Sequence, residues 1–318
     1  MFILKDPVAA GSVIKSESFD TYSMAARYRE LGQRTGINFD AIVQLMDFLP
    51  VFINGERHRD VRRSMARLLA SSKSLQEKAT TEAIGVLLEK LFVAPSDVEL
   101  VSQFAQPLWR AISASIMERS DDMLDLIDEI PSLFYPTLSI RQRIKINEKL
   151  ANFLETDRTN LHERMTRLGL AVLGAKPFVG SVALSVYDVV VRNAGRNSNQ
   201  IEWPNVFPAA SLRFVDRICK HDVQIAHHRF DAGTRIRCHT HDATYPPEHN
   251  DASLFGFGRH TCLGKGTSEF AWTTLVADLT KLDAILVPLG IQMAEFTEPF
   301  FMPAIARIGL RPAPKTMD

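Results

Sequence analysis

From Leu168 to Val191 the chain is almost continuously apolar, broken near its centre by Lys176-Pro177 and near its end by Asp188. An ionisable residue beside a helix breaker at mid-span is costly in lipid. The stretch therefore reads as a long helix through a protein core, not as a membrane span. The N-terminus, Met1-Phe2-Ile3-Leu4-Lys5-Asp6, has too short an apolar run for a secretory signal.

Helical periodicity also runs through the residues before this segment. Ile84, Leu87, Leu88, Leu91 and Phe92 follow the spacing of one buried helix face, and Leu108, Ile112 and Ile116 repeat at four. Ile144, Leu150, Phe153 and Leu154 mark another amphipathic helix, with Ser139 as its cap and Pro131 and Pro136 breaking the chain before it. Strand signals are sparse and late. Val223, Ile225 and then Arg229 to Ile236 read as two short strands around a turn containing Gly233. The tail, with Pro299, Pro303, Pro312 and Pro314, reads as irregular or edge-strand material.

Composition excludes several classes. Hydrophobic residues make up 46% of 318, and Gly and Pro number 16 each, against disorder or low complexity. Lys+Arg and Asp+Glu both total 37, which removes any bulk attraction to nucleic acid or anionic membrane. Three cysteines, Cys219, Cys238 and Cys262, are too few for a disulfide framework. A soluble, cytoplasmic, mostly α-helical single domain over residues 1–318, with a small β-region, is expected.

The chemistry concentrates in Phe255-Gly256-Phe257-Gly258-Arg259-His260-Thr261-Cys262-Leu263-Gly264. A glycine-rich loop here delivers one cysteine to the start of a helix running on through Trp272, Leu275, Leu279 and Leu282. The positive end of the dipole and the free N–H groups there favour the thiolate, the form that binds metal. Glycines let backbone approach something flat and bulky. His58 and Arg62, four apart, share a helix face and can converge on one anion.

The loop resembles the haem-binding loop of the cytochrome P450 superfamily, F-x-x-G-x-[HR]-x-C-x-G, matched by Phe255, Gly258, His260, Cys262 and Gly264. His58-x-x-x-Arg62 resembles the family's H-x-x-x-R, and Arg217 followed by Asp222-Val223 and Ala232-Gly233-Thr234 resembles its R-x-x-x-x-D-V hairpin. Asp97 to Leu108 also looks like the segment leading into the family's D- and E-helices. The resemblance implies haem b, with Cys262 as the axial thiolate. It places His58, Arg62, Arg217 and His260 on the propionates, and Phe255 over the thiolate. It implies a haem-thiolate oxidoreductase for a small organic substrate, in natural-product tailoring or similar chemistry.

Departures are equally specific. The chain is N-terminally shortened, beginning near the family's B-helix without the usual first helix and much of the first sheet. The stretch between Asp242 and Leu254 is compressed. The K-helix E-x-x-R is absent where expected; if Arg213 is its arginine, Ala210 stands in place of the glutamate. The distal [AG]-G-x-[DE]-[TS] is reduced to Leu173-Gly174-Ala175-Lys176-Pro177, which keeps only the glycine. Lys176-Pro177 resembles the Arg-Pro of peroxide-using relatives, so Lys176 is expected in the distal pocket, attracting a carboxylate-bearing substrate. The other reading has Pro177 kinking a core helix and Lys176 reaching outward.

Cys238, His239, His241 and His249 match no common zinc spacing. Arg57, Arg59, Arg63 and Arg67 form either a solvated helix face or a surface for an acidic redox partner. No flavin or nicotinamide fingerprint stands out, so electrons would come from a separate protein. The alternatives are a non-catalytic homologue supporting a partner enzyme, and a haem isomerase or dehydratase that needs no oxygen.

Overall fold

The apolar stretch forms the central helix α9 (Leu161–Arg192). The computed structural model describes residues 1–117, 122–156, 159–239, 255–256, 258–294 and 300–313. By length and composition α9 could cross a membrane, but 67% of its apolar window is buried inside the protein. Buried residues occur on every face. Helices α4 (Gly55–Ser71), α6 (Gln106–Met117) and α7 (Asp122–Glu129) pack against it, as does the C-terminal sheet.

Two glycines set how closely those neighbours approach. A Cβ at Gly174 would fall 2.1 Å from the Trp109 ring of α6, and one at Gly180 would fall 2.4 Å from Ser211 Oγ. Trp109 donates its Nε1 hydrogen to the Ala171 carbonyl at 3.1 Å and packs on Phe178 with ring centroids 5.0 Å apart. The helix continues through Pro177.

The other expected helices form. The stripe at Ile84 and Leu88 lies on α5 (Lys73–Leu91), and Leu108, Ile112 and Ile116 are buried on α6. Ser139 caps α8 (Ile140–Glu155) in a reciprocal box with Gln142. Three helices precede these: α1 (Pro7–Lys15), α2 (Met24–Thr35) and α3 (Asp40–Met46).

The β-structure is more extensive than expected. Strands β1 (Phe2–Leu4) and β2 (Phe19–Thr21) flank β7 (Arg235–His239) and β4 (Phe214–Cys219) in a four-stranded sheet ordered β1-β7-β4-β2. The N-terminal residues thus supply two strands of a sheet expected to be mostly missing. Strands β5 (Val223–Ile225) and β6 (His228–Phe230) pair as a separate hairpin. Its turn lies at Ala226-His227; Gly233 instead serves the next turn, into β7.

The tail corrects a further expectation. Strand β9 (Pro303–Pro312) is the middle strand of a sheet, between β3 (Ser96–Glu99) and β8 (Ala284–Met293). Its prolines stand at its two ends, where a missing N–H does least harm to the ladder. Pro299, Pro314 and the Asp242–Leu254 stretch lie outside the described residues. A single 3₁₀ turn, Ser198–Gln200, is the only helical element described between α9 and β4. The helix on which the family carries E-x-x-R is therefore not formed there: Ala210 is buried in the connection, and the Arg213 guanidinium lies 3.2 Å from the Phe301 ring centroid.

Candidate active site

The cysteine loop folds back on itself. The Cys262 N–H donates to the Phe255 carbonyl at 2.6 Å, while Gly256 and Gly258 have φ of 75° and 59°, a region that strains any side chain. The loop leads into α10 (Lys265–Leu279), so the N–H groups of Gly264 and Lys265 reach the Cys262 thiol. Burial raises the thiol above its ordinary value; those two N–H groups and Arg62 pull it back. Cys219 and Cys238 are buried, and burial pushes Cys238 up to about 12. Those two thiols are core groups. Cys262 instead opens onto a cavity of about 660 Å³, within the range of cofactor and ligand pockets.

Around the cysteine the structure gathers the expected basic groups. His58 of α4 is buried against His260 of the loop, with ring centroids 4.4 Å apart. Burial first, then Arg62, Arg259, Arg217 and Arg59, push His58 down to about 4. Burial and then Arg217, His58, Arg259 and Arg62 push His260 down to about 2. Arg217 on β4 is also buried, which lowers it to about 10. Arg62 donates from Nη2 to the Thr261 carbonyl at 2.7 Å, tying α4 to the loop. His58 Nε2 is buried with no hydrogen-bond partner, an atom that ordinarily finds one. Among the described residues no carboxylate acts on either imidazole.

Phe255 is buried beside the loop, with the Lys265 ammonium 5.5 Å from its ring centroid. Gly264 lines the cavity, whereas Gly258 lies against Lys15 of α1. Two contacts went unread in the sequence. Arg259 Nη2 donates to the Phe19 carbonyl at 3.0 Å, and Thr267 of α10 donates to the buried Gln76 of α5 at 2.9 Å. Neither residue belongs to a periodic or motif position that would have drawn notice.

Across the cavity stands α9, presenting Leu170, Leu173, Gly174, Pro177, Phe178 and Ser181. Their three- and four-residue steps define one helix face. Gly174 and Pro177 are where the sequence placed them, in the wall. Lys176 is not: it falls on the far side of the helix turn from Gly174, half-buried and outside the cavity lining. The expectation of a lysine in the distal pocket is corrected on this ground.

A second charged group was also missed. Asp216 of β4 receives Arg237 Nε at 3.0 Å and Arg235 Nε at 3.2 Å. Arg235 lies over the Tyr22 ring and Arg237 over Phe214. Alternation along Arg235-Ile236-Arg237 was the available signal. Arg57, Arg59, Arg63 and Arg67 lie exposed on α4. Among the described residues no three metal-ligating side chains cluster; His241 and His249 lie outside them.

No protein-family model matches the sequence, and no curated protein matches it. Solved structures do. CxnD, a cytochrome P450 enzyme for C–S bond formation in chuangxinmycin biosynthesis, superposes with a TM-score of 0.75 at 14% identity, covering 98% of this chain and 88% of that one. P450BioI, solved with an acyl carrier protein carrying hexadec-9Z-enoic acid, gives 0.73 at 14% identity over 96% and 90%. The chain has the cytochrome P450 fold. CYP109B1 from Bacillus subtilis, described as a versatile cytochrome P450 enzyme, gives 0.68 at 14% identity over 95% and 91%. Within the P450 fold, the cysteine loop, α4 and β4 of this chain bring together residues widely separated in sequence.

Proposed function

We propose that this chain is a haem-thiolate oxidoreductase of the P450 type, acting on a small organic molecule. The observation that carries the reading is Cys262, open to the cavity at the start of α10, with His58, Arg62, Arg217 and His260 gathered beside it. Haem b suits this donor set: a thiol for the iron, and an unpartnered imidazole nitrogen and guanidinium groups for two propionates. When bound, the haem supplies a redox-active iron for activating an oxidant. The chain's own residues do the rest. Cys262 ligates, and the two N–H groups beside it temper its charge. Phe255 shields its sulfur, and the α9 wall keeps water from the substrate.

That wall carries no carboxyl group, and Ser181 is its one hydroxyl. Proton delivery of the acid–alcohol type lacks its acid. This favours an oxidant that arrives already reduced, such as hydrogen peroxide, over oxygen with electrons from a separate redox protein. The same feature is compatible with an isomerase or dehydratase that needs no oxygen. The open thiol of Cys262 argues against a non-catalytic helper, which has no use for it.

The test is a spectrum of the purified, haem-loaded protein, reduced and exposed to carbon monoxide. A strongly red-shifted Soret band is expected. Its absence in haem-loaded protein overturns thiolate ligation and the oxidoreductase reading with it.

A further inference from the structure

The cavity is unevenly charged. Arg27, Arg62, Arg217, Arg235 and Arg237 line it, with Asp216 the one carboxylate among the described lining residues. In the reading above, Arg62 and Arg217 serve the haem propionates. Asp216 pairs with both Arg235 and Arg237 but its single charge balances only one of the remaining three guanidinium groups, which leaves a surplus of positive charge on the sheet side of the cavity.

This surplus is separate from the propionate group. Arg217 shares a face of the four-stranded sheet with Val215, Ile236 and Cys238, since it is registered opposite Ile236. Asp216, registered opposite Arg237, lies on the other face with Arg235 and Arg237. Both arginines are held in place. Each turns its Nε and Nη2 edge to Asp216, and each stacks on an aromatic ring, at 4.0 Å for Arg235 over Tyr22 and 3.8 Å for Arg237 over Phe214. Among the described residues, Nη1 of neither arginine makes a hydrogen bond, and the Arg27 guanidinium makes neither a hydrogen bond nor an ion pair. Asp216 and the two rings fix the donors, so a ligand meets them already oriented.

We propose that Arg27, Arg235 and Arg237 form a carboxylate-recognition site, seating an organic acid whose apolar body lies toward Phe207, Leu212 and Phe300 of the same cavity. The site rests on the P450-type reading for its place beside a haem. It assigns the substrate class that the distal lysine does not supply.

The test is equilibrium dialysis of haem-loaded protein with two matched probes, decanoate and decanol. Decanoate is expected to bind at least about tenfold tighter, as charge-assisted hydrogen bonds require, and the advantage should shrink with added salt. Arg235→Gln with Arg237→Gln should bring decanoate down toward decanol while leaving decanol and haem content unchanged. Arg27→Gln, which removes no side-chain hydrogen bond or ion pair among the described residues, should give a smaller loss in the same direction; it stands as the test should the double variant not fold. Equal binding of the two probes by the wild type overturns the site. So does an equal loss for both probes in the variants. Loss of haem from the double variant would instead assign these arginines to a propionate and also overturn it. Failure of the wild type to take up haem is a different outcome, and sinks the P450-type reading itself.

Discussion

His58 and His260 pack at a tilt with ring centroids 4.4 Å apart, one on α4 and one in the cysteine loop, and burial holds both well below the usual imidazole range. Two neutral rings beside Arg62, Arg217 and Arg259 make a pocket edge in which the guanidinium groups carry the charge and the imidazoles offer directional hydrogen bonds. His58 Nε2 is the orphan of that arrangement.

Replacing Cys262 with Ala is expected to abolish the red-shifted carbon monoxide band of the reduced protein. Ala variants of Cys219 and Cys238, whose thiols are buried, should keep it. Retention of the band in all three variants would refute Cys262 as the ligand.

Arg62→Ala should weaken haem binding by about 10-fold or more, the equivalent of one lost hydrogen bond to a charged group at roughly 1.5–3 kcal/mol. His58→Phe should lose less, because a neutral donor is worth less. Haem transfer to an apo-globin acceptor measures both. Wild-type retention in both variants would remove the propionate assignment.

Gly174→Ala tests the contact between α9 and α6. The new methyl would overlap the Trp109 ring, which must move and give up its bond to the Ala171 carbonyl. Overpacking of this kind costs about 1–3 kcal/mol. Adding Trp109→Phe should recover part of that loss, with a coupling of about 1 kcal/mol in a double-mutant cycle read by denaturant melts. Strict additivity would mean the two residues do not meet.

Glu99 gives a pH dependence remote from the cavity. Its carboxylate accepts from the N–H groups of Val101 and Ala306 at 3.1 and 2.9 Å, and also from Ser102. Burial alone would raise its pKa, but these hydrogen bonds outweigh burial and hold it below the ordinary value. A depressed folded pKa means stability that is fully present above the unfolded value, about 4.3, and lost as pH falls through the folded one. Glu99→Gln should flatten the loss of stability below about pH 4.3, and Glu99→Ala should cost about 1–2 kcal/mol at neutral pH, as lost caps do. Parallel acid limbs for wild type and Glu99→Gln would exclude the assignment.

The sequence showed the central helix and the thiol loop clearly because each follows a strong local rule. An apolar run with Lys176-Pro177 inside it has few places to go, and the loop from Phe255 to Gly264 repeats a dense pattern. What stayed hidden depended on long-range pairing. The turn between β5 and β6 uses Ala226-His227, with Ala226 at φ 53°, a pair carrying no turn signature. Strand β9 read as irregular or edge-strand material, not as a central strand, because proline was weighed without its position at the strand ends. Lys176 was misplaced for a different reason: the motif fixes a position in sequence, but the helix turn decides which side it faces.

Strand β1 pairs parallel with β7, and the Phe19 carbonyl takes a hydrogen bond from Arg259 of the cysteine loop. During synthesis residues 2–4 must therefore wait for their pairing strand until residues 235–239 have also left the ribosome. Closing so long a loop is entropically slow. The thiol loop thus gains its final support only when Phe19 and Arg259 have met, and until then the nascent protein lacks a finished place for a cofactor.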